Sequence, residues 1–147
     1  MAYCISADLA EYRPNIHNLG VLDWTATIAK AEAQINRAIE KQWYRPECVA
    51  KNLDYRSTPF DPVLFLTAAT QLKEASIYLS LKLAYMYLMK DSAEADAFER
   101  QMKLFDDLYK EELQEVLSSG LDYDWDDDGE IAASEKLAPK VRRLRRC

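Results

Sequence analysis

Apolar residues recur every three or four positions along most of this chain, which is the period of amphipathic helices. The clearest pattern runs from Trp24 to Trp43 and predicts a helix over residues 24–44, with Asp23 as its N-cap. A short N-terminal helix is predicted to begin at Ser6, as its N-cap. The buried stripe of the longer helix is expected to comprise Trp24, Ile28, Ala31, Ile35, Ile39 and Trp43.

The pattern is interrupted at Pro46, and the residues that follow are rich in turn formers. Because proline removes a helical hydrogen bond and clashes with the preceding turn, the helix is expected to end at Arg45-Pro46. Residues 45–61 then form a connection that is long for a compact domain and contains at most a short strand or turn. Such a loop usually carries function or packs against a partner.

Two more helices are predicted after this connection. Asp61-Pro62 combines an N-cap with proline at the first helical position and predicts a third helix over about 62–90. A fourth is expected over about 93–118, ended by Gly120. Because the connection between them is short, the two helices should pack as an antiparallel hairpin.

The second half of the third helix, from Ile77 to Met89, is apolar on nearly every side. It therefore either forms the core of the domain or turns one side towards a neighbouring subunit. The composition agrees with a helical fold, because 3 glycines and 5 prolines are too few for a protein of many short strands. No apolar run approaches the roughly 20 residues of a membrane span, so the sequence predicts a soluble protein.

The formal net charge of −6 conceals two segments of opposite sign. Residues 122–135 carry seven acids and no base, whereas residues 136–147 carry six bases and no acid. The rest of the chain is acidic too, which argues against a nucleic-acid-binding module. We therefore predict a helical bundle over residues 1–120, an acidic loop over 121–135 and a basic C-terminal arm over 136–147.

The acidic loop matches the template of an EF-hand calcium site. Acids occupy its first, third, fifth and twelfth positions, with glycine sixth and an apolar residue eighth. Alternate carboxylates in a coiled loop converge on one cation, and the final glutamate closes the oxygen shell. The predicted calcium ligands are Asp124, Asp126, Asp128, the backbone carbonyl of Glu130, and Glu135. With one loop and a short exit helix, we expect a structural site rather than a sensor; the alternative is a solvated acidic linker.

The basic arm is rich in arginine, which prefers carboxylate or phosphate partners. It is either a frayed terminus or a docking arm that orders on a partner surface. No nucleotide-binding, serine-hydrolase or zinc-protease motif occurs in the chain. The single histidine, His17, has no sequence partner for catalysis, so the chain is not expected to be an enzyme.

Four short stretches mark the helices of this layout. One helix opens with Ser6-Ala7-Asp8-Leu9, one ends in Trp43-Tyr44-Arg45-Pro46, one begins near Leu66-Thr67-Ala68-Ala69, and one ends in Leu117-Ser118-Ser119-Gly120. An Asp-rich segment and an Arg-rich terminus follow. Taken together, this layout resembles the small helical head–tail connector proteins of tailed bacteriophages, also called adaptor or head-completion proteins.

The resemblance implies an all-α virion protein of the neck, made in the host cytoplasm, whose subunits form a homo-oligomeric ring, commonly a dodecamer. The ring would join the portal protein to a neck or tail-completion protein, and DNA would pass through it without sequence-specific binding. No membrane is involved. The arm would dock on the portal through Lys140, Arg142, Arg143, Leu144, Arg145 and Arg146. The alternative is a calcium-binding helical interaction protein with a basic, partner-binding tail.

Overall fold

The computed structural model describes residues 2–91 and 95–136. The fold is a small all-α helical bundle, as predicted. Among the described residues, no helix has both the length and the apolar character needed to span a membrane. The helices are α1 (Ser6–Tyr12), α2 (Thr25–Ile39), α3 (Arg45–Ala50), α4 (Ala68–Gln71), α5 (Lys73–Leu88), α6 (Ala95–Ser119) and α7 (Ala133–Lys136).

Helices α5 and α6 run antiparallel and form the centre of the bundle. The ring of Tyr85 lies 5.8 Å from that of Phe98 and 6.0 Å from that of Phe105. One helical turn earlier on α5, Lys82 forms an ion pair of 2.7 Å with Asp106. Residue numbers therefore rise along one helix as they fall along the other.

Helix α2 packs against α5 through its apolar stripe. Every residue predicted for this stripe is at most 9% exposed, so the helical period is confirmed. The second half of the predicted third helix is also buried, with Ile77, Leu79 and Leu81 at most 1% exposed. This confirms that α5 is a core helix. Its last turn differs, because Met86 is 44% and Tyr87 is 56% exposed.

The predicted helix end at Arg45-Pro46 is wrong. Helix α2 continues through a π-helical turn, Glu40–Tyr44, directly into α3. The amide of Arg45 donates to the carbonyl of Glu40, five residues back. This wider turn changes the hydrogen-bond register just before Pro46, so the missing proline amide falls at the start of a new helical segment, where it is tolerated. The connection shrinks to residues 51–61, which contain turns and no strand.

The predicted third helix is interrupted near its start. Asp61 caps as expected, accepting the amide of Val63 at 3.0 Å, but only one 3₁₀ turn, Pro62–Leu64, follows. Phe65 is extended and pairs with Tyr123 in an isolated antiparallel bridge. Burial of the Phe65 ring, which is 3% exposed, and pairing with the returning chain therefore outweigh local helix propensity. Regular helix resumes at α4 and α5.

Apart from these two places, the described helix ends agree with the predictions to within a residue or two. Ile5, not Ser6, is the N-cap of α1, and its amide donates to Asp8 Oδ2 at 2.8 Å. Trp24, not Asp23, is the N-cap of α2, although Asp23 Oδ1 accepts the amide of Thr25 at 3.0 Å. Gly120 ends α6 with a φ of 93°, a left-handed conformation that favours glycine. The predicted start of that helix, near residue 93, lies outside the described residues.

Candidate metal site

The acidic loop is joined to the body by its first residues and is not a separate unit. Leu121 and Tyr123 are buried, at 5% and 2% exposure. The Asp124 amide donates to the Leu64 carbonyl at 2.9 Å, and Tyr123 forms the bridge with Phe65. The predicted boundary at residue 121 therefore falls inside the packed core, and the loop starts from a fixed backbone position.

Three of the predicted ligands come together in this loop. One carboxylate oxygen from each of Asp124, Asp126 and Asp128 lies within 4.8 Å of the other two. Asp124 is 1% exposed, whereas the other two are exposed to solvent. A buried carboxylate with two exposed partners gives a half-shell of oxygens, which is the donor type that hard cations such as calcium prefer.

Backbone amides hold the Asp124 carboxylate in its charged form. Burial acts to raise its pKa, but the amides of Gly129 and Asp128 donate to the two oxygens at 2.8 and 3.2 Å and lower the pKa below its ordinary value. Hydrogen bonds to the charged form favour ionisation. The carboxylate of Asp124 is thus ready to bind a cation at neutral pH.

Asp126 has the opposite electrostatic surroundings. Partial desolvation, followed by the nearby carboxylates of Asp128, Glu135 and Asp124, raises its pKa above the ordinary value. Like charges at close range disfavour ionisation. A divalent cation bound between these groups would reverse this repulsion, because it would pair with all of them at once.

The side chain of Glu135 closes the loop by accepting two backbone amides. One carboxylate oxygen accepts the amide of Trp125 at 2.8 Å and the other accepts the amide of Ala132 at 2.6 Å. These bonds bring the carboxylate of the twelfth position back beside the start of the loop. Its proposed bidentate role as a ligand stays a prediction, since both oxygens are engaged with amides in this arrangement.

The turn itself is made where the template requires it. Gly129, at the sixth position, has a φ of 86°, and a left-handed backbone of this kind favours glycine. Asp127, which lies outside the predicted ligand set, has a φ of 58°, a conformation that aspartate tolerates better than most residues. Glu130 donates its amide to Asp128 Oδ1 at 2.8 Å, and the ligand role of its carbonyl stays a prediction.

An aromatic cluster of the helical body packs against the loop. The Trp125 ring stacks on the Tyr44 ring at 5.3 Å with an interplanar angle of 6°, and lies 5.9 Å from Trp43 and 5.0 Å from Tyr123. The Phe65 ring completes the group at 5.2 Å from Tyr123. The loop is therefore anchored to the junction of α2 and α3 by the second residue of the metal-binding template.

Lys51, at the end of α3, joins the two ends of the loop. Its Nζ lies 5.1 Å from the centre of the Trp125 ring and donates to the Glu135 carbonyl at 3.2 Å. Neither Lys51 nor the aromatic cluster was predicted from the sequence. The pairs Trp43-Tyr44 and Tyr123–Trp125 were visible in the sequence, but only the fold brings them together.

The predicted portal-binding residues lie outside the described residues; they are Lys140, Arg142, Arg143, Leu144, Arg145 and Arg146. Their role stays a prediction. Comparison with protein-family models, with curated proteins and with solved structures gives no match. The functional proposal therefore rests on the residues and their geometry.

Proposed function

We propose that this protein is a non-enzymatic structural adaptor of a phage virion, and that its subunits form a ring between the portal and the neck or tail. In this proposal the basic arm docks on the portal protein, and the helical bundle provides the body of the ring. Twelve subunits are expected from the family resemblance. DNA would pass through the ring without sequence-specific contacts.

The observation that carries this proposal is the fixed point from which the basic arm departs. The Glu135 carbonyl, immediately before the arm, accepts a hydrogen bond from Lys51, and Trp125 is stacked in the aromatic cluster. A charged arm that starts from a rigid base needs less ordering on binding than one on a flexible linker. This arrangement suits a segment that must reach a partner in one direction.

An exposed apolar patch supports the association of subunits. It surrounds Trp24, whose ring lies 6.2 Å from that of Tyr87 and whose amide donates to Ser6 Oγ at 3.4 Å. The large side chains beside these contacts are exposed: Leu22 at 85%, Ile5 at 61% and Tyr87 at 56%. Exposed apolar side chains that lie close together favour protein–protein contacts. We call Ile5, Leu22 and Tyr87 the Trp24 patch.

The docking role of the basic arm is tested with the portal protein of the phage that encodes this chain. We expect deletion of residues 136–147 to abolish co-sedimentation with portal particles while circular dichroism shows an intact helical bundle. Replacing Arg142, Arg143 and Arg145 by glutamine should weaken binding at least about tenfold, because charge-assisted hydrogen bonds contribute about 1.5–3 kcal/mol each.

The matched control removes three positive charges from the body instead. Lys30, Arg37 and Lys41 are exposed, and their glutamine variant should bind the portal as the unchanged chain does. If the truncated protein binds portal normally, the docking role of the arm is wrong. If both triple variants bind equally weakly, only total charge matters and a specific arm contact is excluded.

The cluster of three aspartates favours a second candidate, a calcium-binding interaction protein with a basic tail. Calorimetric titration of the full chain with calcium chloride should give a dissociation constant of about 10⁻⁴–10⁻³ M, as in extracellular calcium modules. Asp128→Asn should weaken binding at least about tenfold, whereas Asp127→Asn, outside the ligand set, should change it little. Absence of a calcium heat would remove the metal site.

The two candidates differ in what calcium does to partner binding. If calcium binds and changes the affinity for a partner several-fold, the interaction protein is favoured over the adaptor. If it binds without such a change, the site has a structural role that fixes the exit of the basic arm.

A further inference from the structure

A cavity of about 250 Å³ opens between the chain that follows α1 and the hairpin of α5 and α6. The cavity is lined by Arg13 and Asn15 from the chain after α1, by Tyr85 from α5, and by Phe98 and Gln101 from α6. Pockets for drug-sized ligands measure about 300–1,000 Å³, so this space suits one small functional group. It lies apart from the acidic loop, and the proposed adaptor function does not use it.

Arg13 brings a half-buried cationic side chain to this cavity. Its Nε is buried and has no hydrogen-bond partner among the described residues. The guanidinium carbon lies 5.3 Å from the centre of the Phe105 ring, and Nη2 donates to Gln101 Oε1. A buried charged donor left without an acceptor costs free energy, so such a group calls for an explanation.

The polar groups around the cavity are able to donate. Because Gln101 accepts through Oε1, its amide nitrogen remains a donor, and the Asn15 amide and the Tyr85 hydroxyl can donate as well. Among the residues that the structure places around the cavity, none is acidic. One cation with several donors complements a group that only accepts hydrogen bonds, and an ionised carboxylate is such a group.

We propose that the Arg13 cavity binds a single carboxylate group, carried either by a small carboxylic acid or by an acidic side chain of a protein partner. The guanidinium fork matches a planar carboxylate, and one positive charge neutralises one negative charge. A phosphate group carries about −1.5 to −2 at pH 7 and would leave excess negative charge in the cavity.

The experiment follows the Nε–Hε signal of Arg13 by NMR in the full-length chain, assigned with Arg13→Lys. Acetate, succinate, N-acetylglutamate amide and inorganic phosphate are titrated at constant ionic strength. We expect the carboxylates to shift this signal saturably, and Arg13→Lys, which keeps the charge and loses the fork, to bind at least about tenfold more weakly as judged by the amide signals of α6. Arg37→Gln removes an exposed arginine from α2 and should bind like the unchanged chain.

The probes separate the two sources of the carboxylate. Binding of N-acetylglutamate amide as tight as that of succinate supports a protein side chain, and binding of succinate alone supports a free acid. If no carboxylate shifts the Arg13 signal, or if phosphate binds as tightly as the carboxylates, the proposal is wrong.

Discussion

Asp126 and Asp127 are adjacent in the acidic loop but differ in their electrostatic surroundings. The carboxylate of Asp126 belongs to the cluster of three aspartates, and desolvation together with its acidic neighbours raises its pKa. Asp127 lies outside that cluster. A raised carboxyl pKa means that the folded state disfavours the ionised form, so Asp126 lowers the stability of the cation-free protein above that pKa and not at acid pH.

This difference predicts that adding calcium reverses the order of thermal stability between Asp126→Asn and the unchanged chain. In the presence of a chelator at pH 7, Asp126→Asn should melt at a higher temperature than the unchanged chain, because it removes like-charge repulsion. The difference should vanish near pH 3, where carboxyls are protonated in both folded and unfolded chains. In saturating calcium the order should invert, because the variant has lost a ligand.

The measurement is thermal unfolding followed by circular dichroism, with Asp127→Asn as the control. That variant makes the same chemical change at the neighbouring position and should follow the unchanged chain under all three conditions. A variant at Asp126 that is less stable than the unchanged chain in chelator at pH 7 would contradict the like-charge account of the loop.

At the scale of helices and loops, features that depend only on neighbouring residues could be predicted from the sequence. The stripe from Trp24 to Trp43 is buried along its whole length, and Gly120 ends α6 in a left-handed conformation. Both depend on spacing or on one residue type, so the sequence was sufficient to predict them. The spacing of Asp124, Asp126 and Asp128 likewise predicted that three carboxylates would meet.

The errors arose where distant residues decide the local structure. The helix continues through Pro46 because a π-helical turn changes the hydrogen-bond register before it. The spacing of apolar residues in the sequence does not predict such a turn. Phe65 leaves the helical pattern because it pairs with Tyr123. The contact of Lys51 with Trp125 also depends on this pairing, which places the loop beside the end of α3.

For the molecule as a whole, the functional groups are distributed between separate regions. The acidic loop, the aromatic cluster and the departure of the basic arm lie together where α3 meets the chain after α6. The Trp24 patch lies instead where α1, the start of α2 and the end of α5 meet. A subunit of the proposed ring would need two kinds of surface, one for its neighbours and one for the portal. We therefore propose that the Trp24 patch forms the contact between subunits.

This assignment predicts that Leu22→Asp disrupts assembly without unfolding the subunit. Leu22 is 85% exposed, so its replacement should change the free energy of unfolding by no more than about 0.5 kcal/mol. A charge in the middle of an apolar contact should nevertheless reduce the number of subunits bound to each portal, because it must be desolvated without a partner. Mass measurement of the complexes gives this number directly.

Val49→Asp is the matched control, since Val49 is 66% exposed on α3, away from the Trp24 patch. Its complexes should carry the same number of subunits as those of the unchanged chain. If Val49→Asp reduces the number and Leu22→Asp does not, the subunit contact lies on the α3 side of the molecule. The Trp24 patch would then have no part in the ring. The docking of the arm is decided separately, by the co-sedimentation of the truncated chain with portal particles.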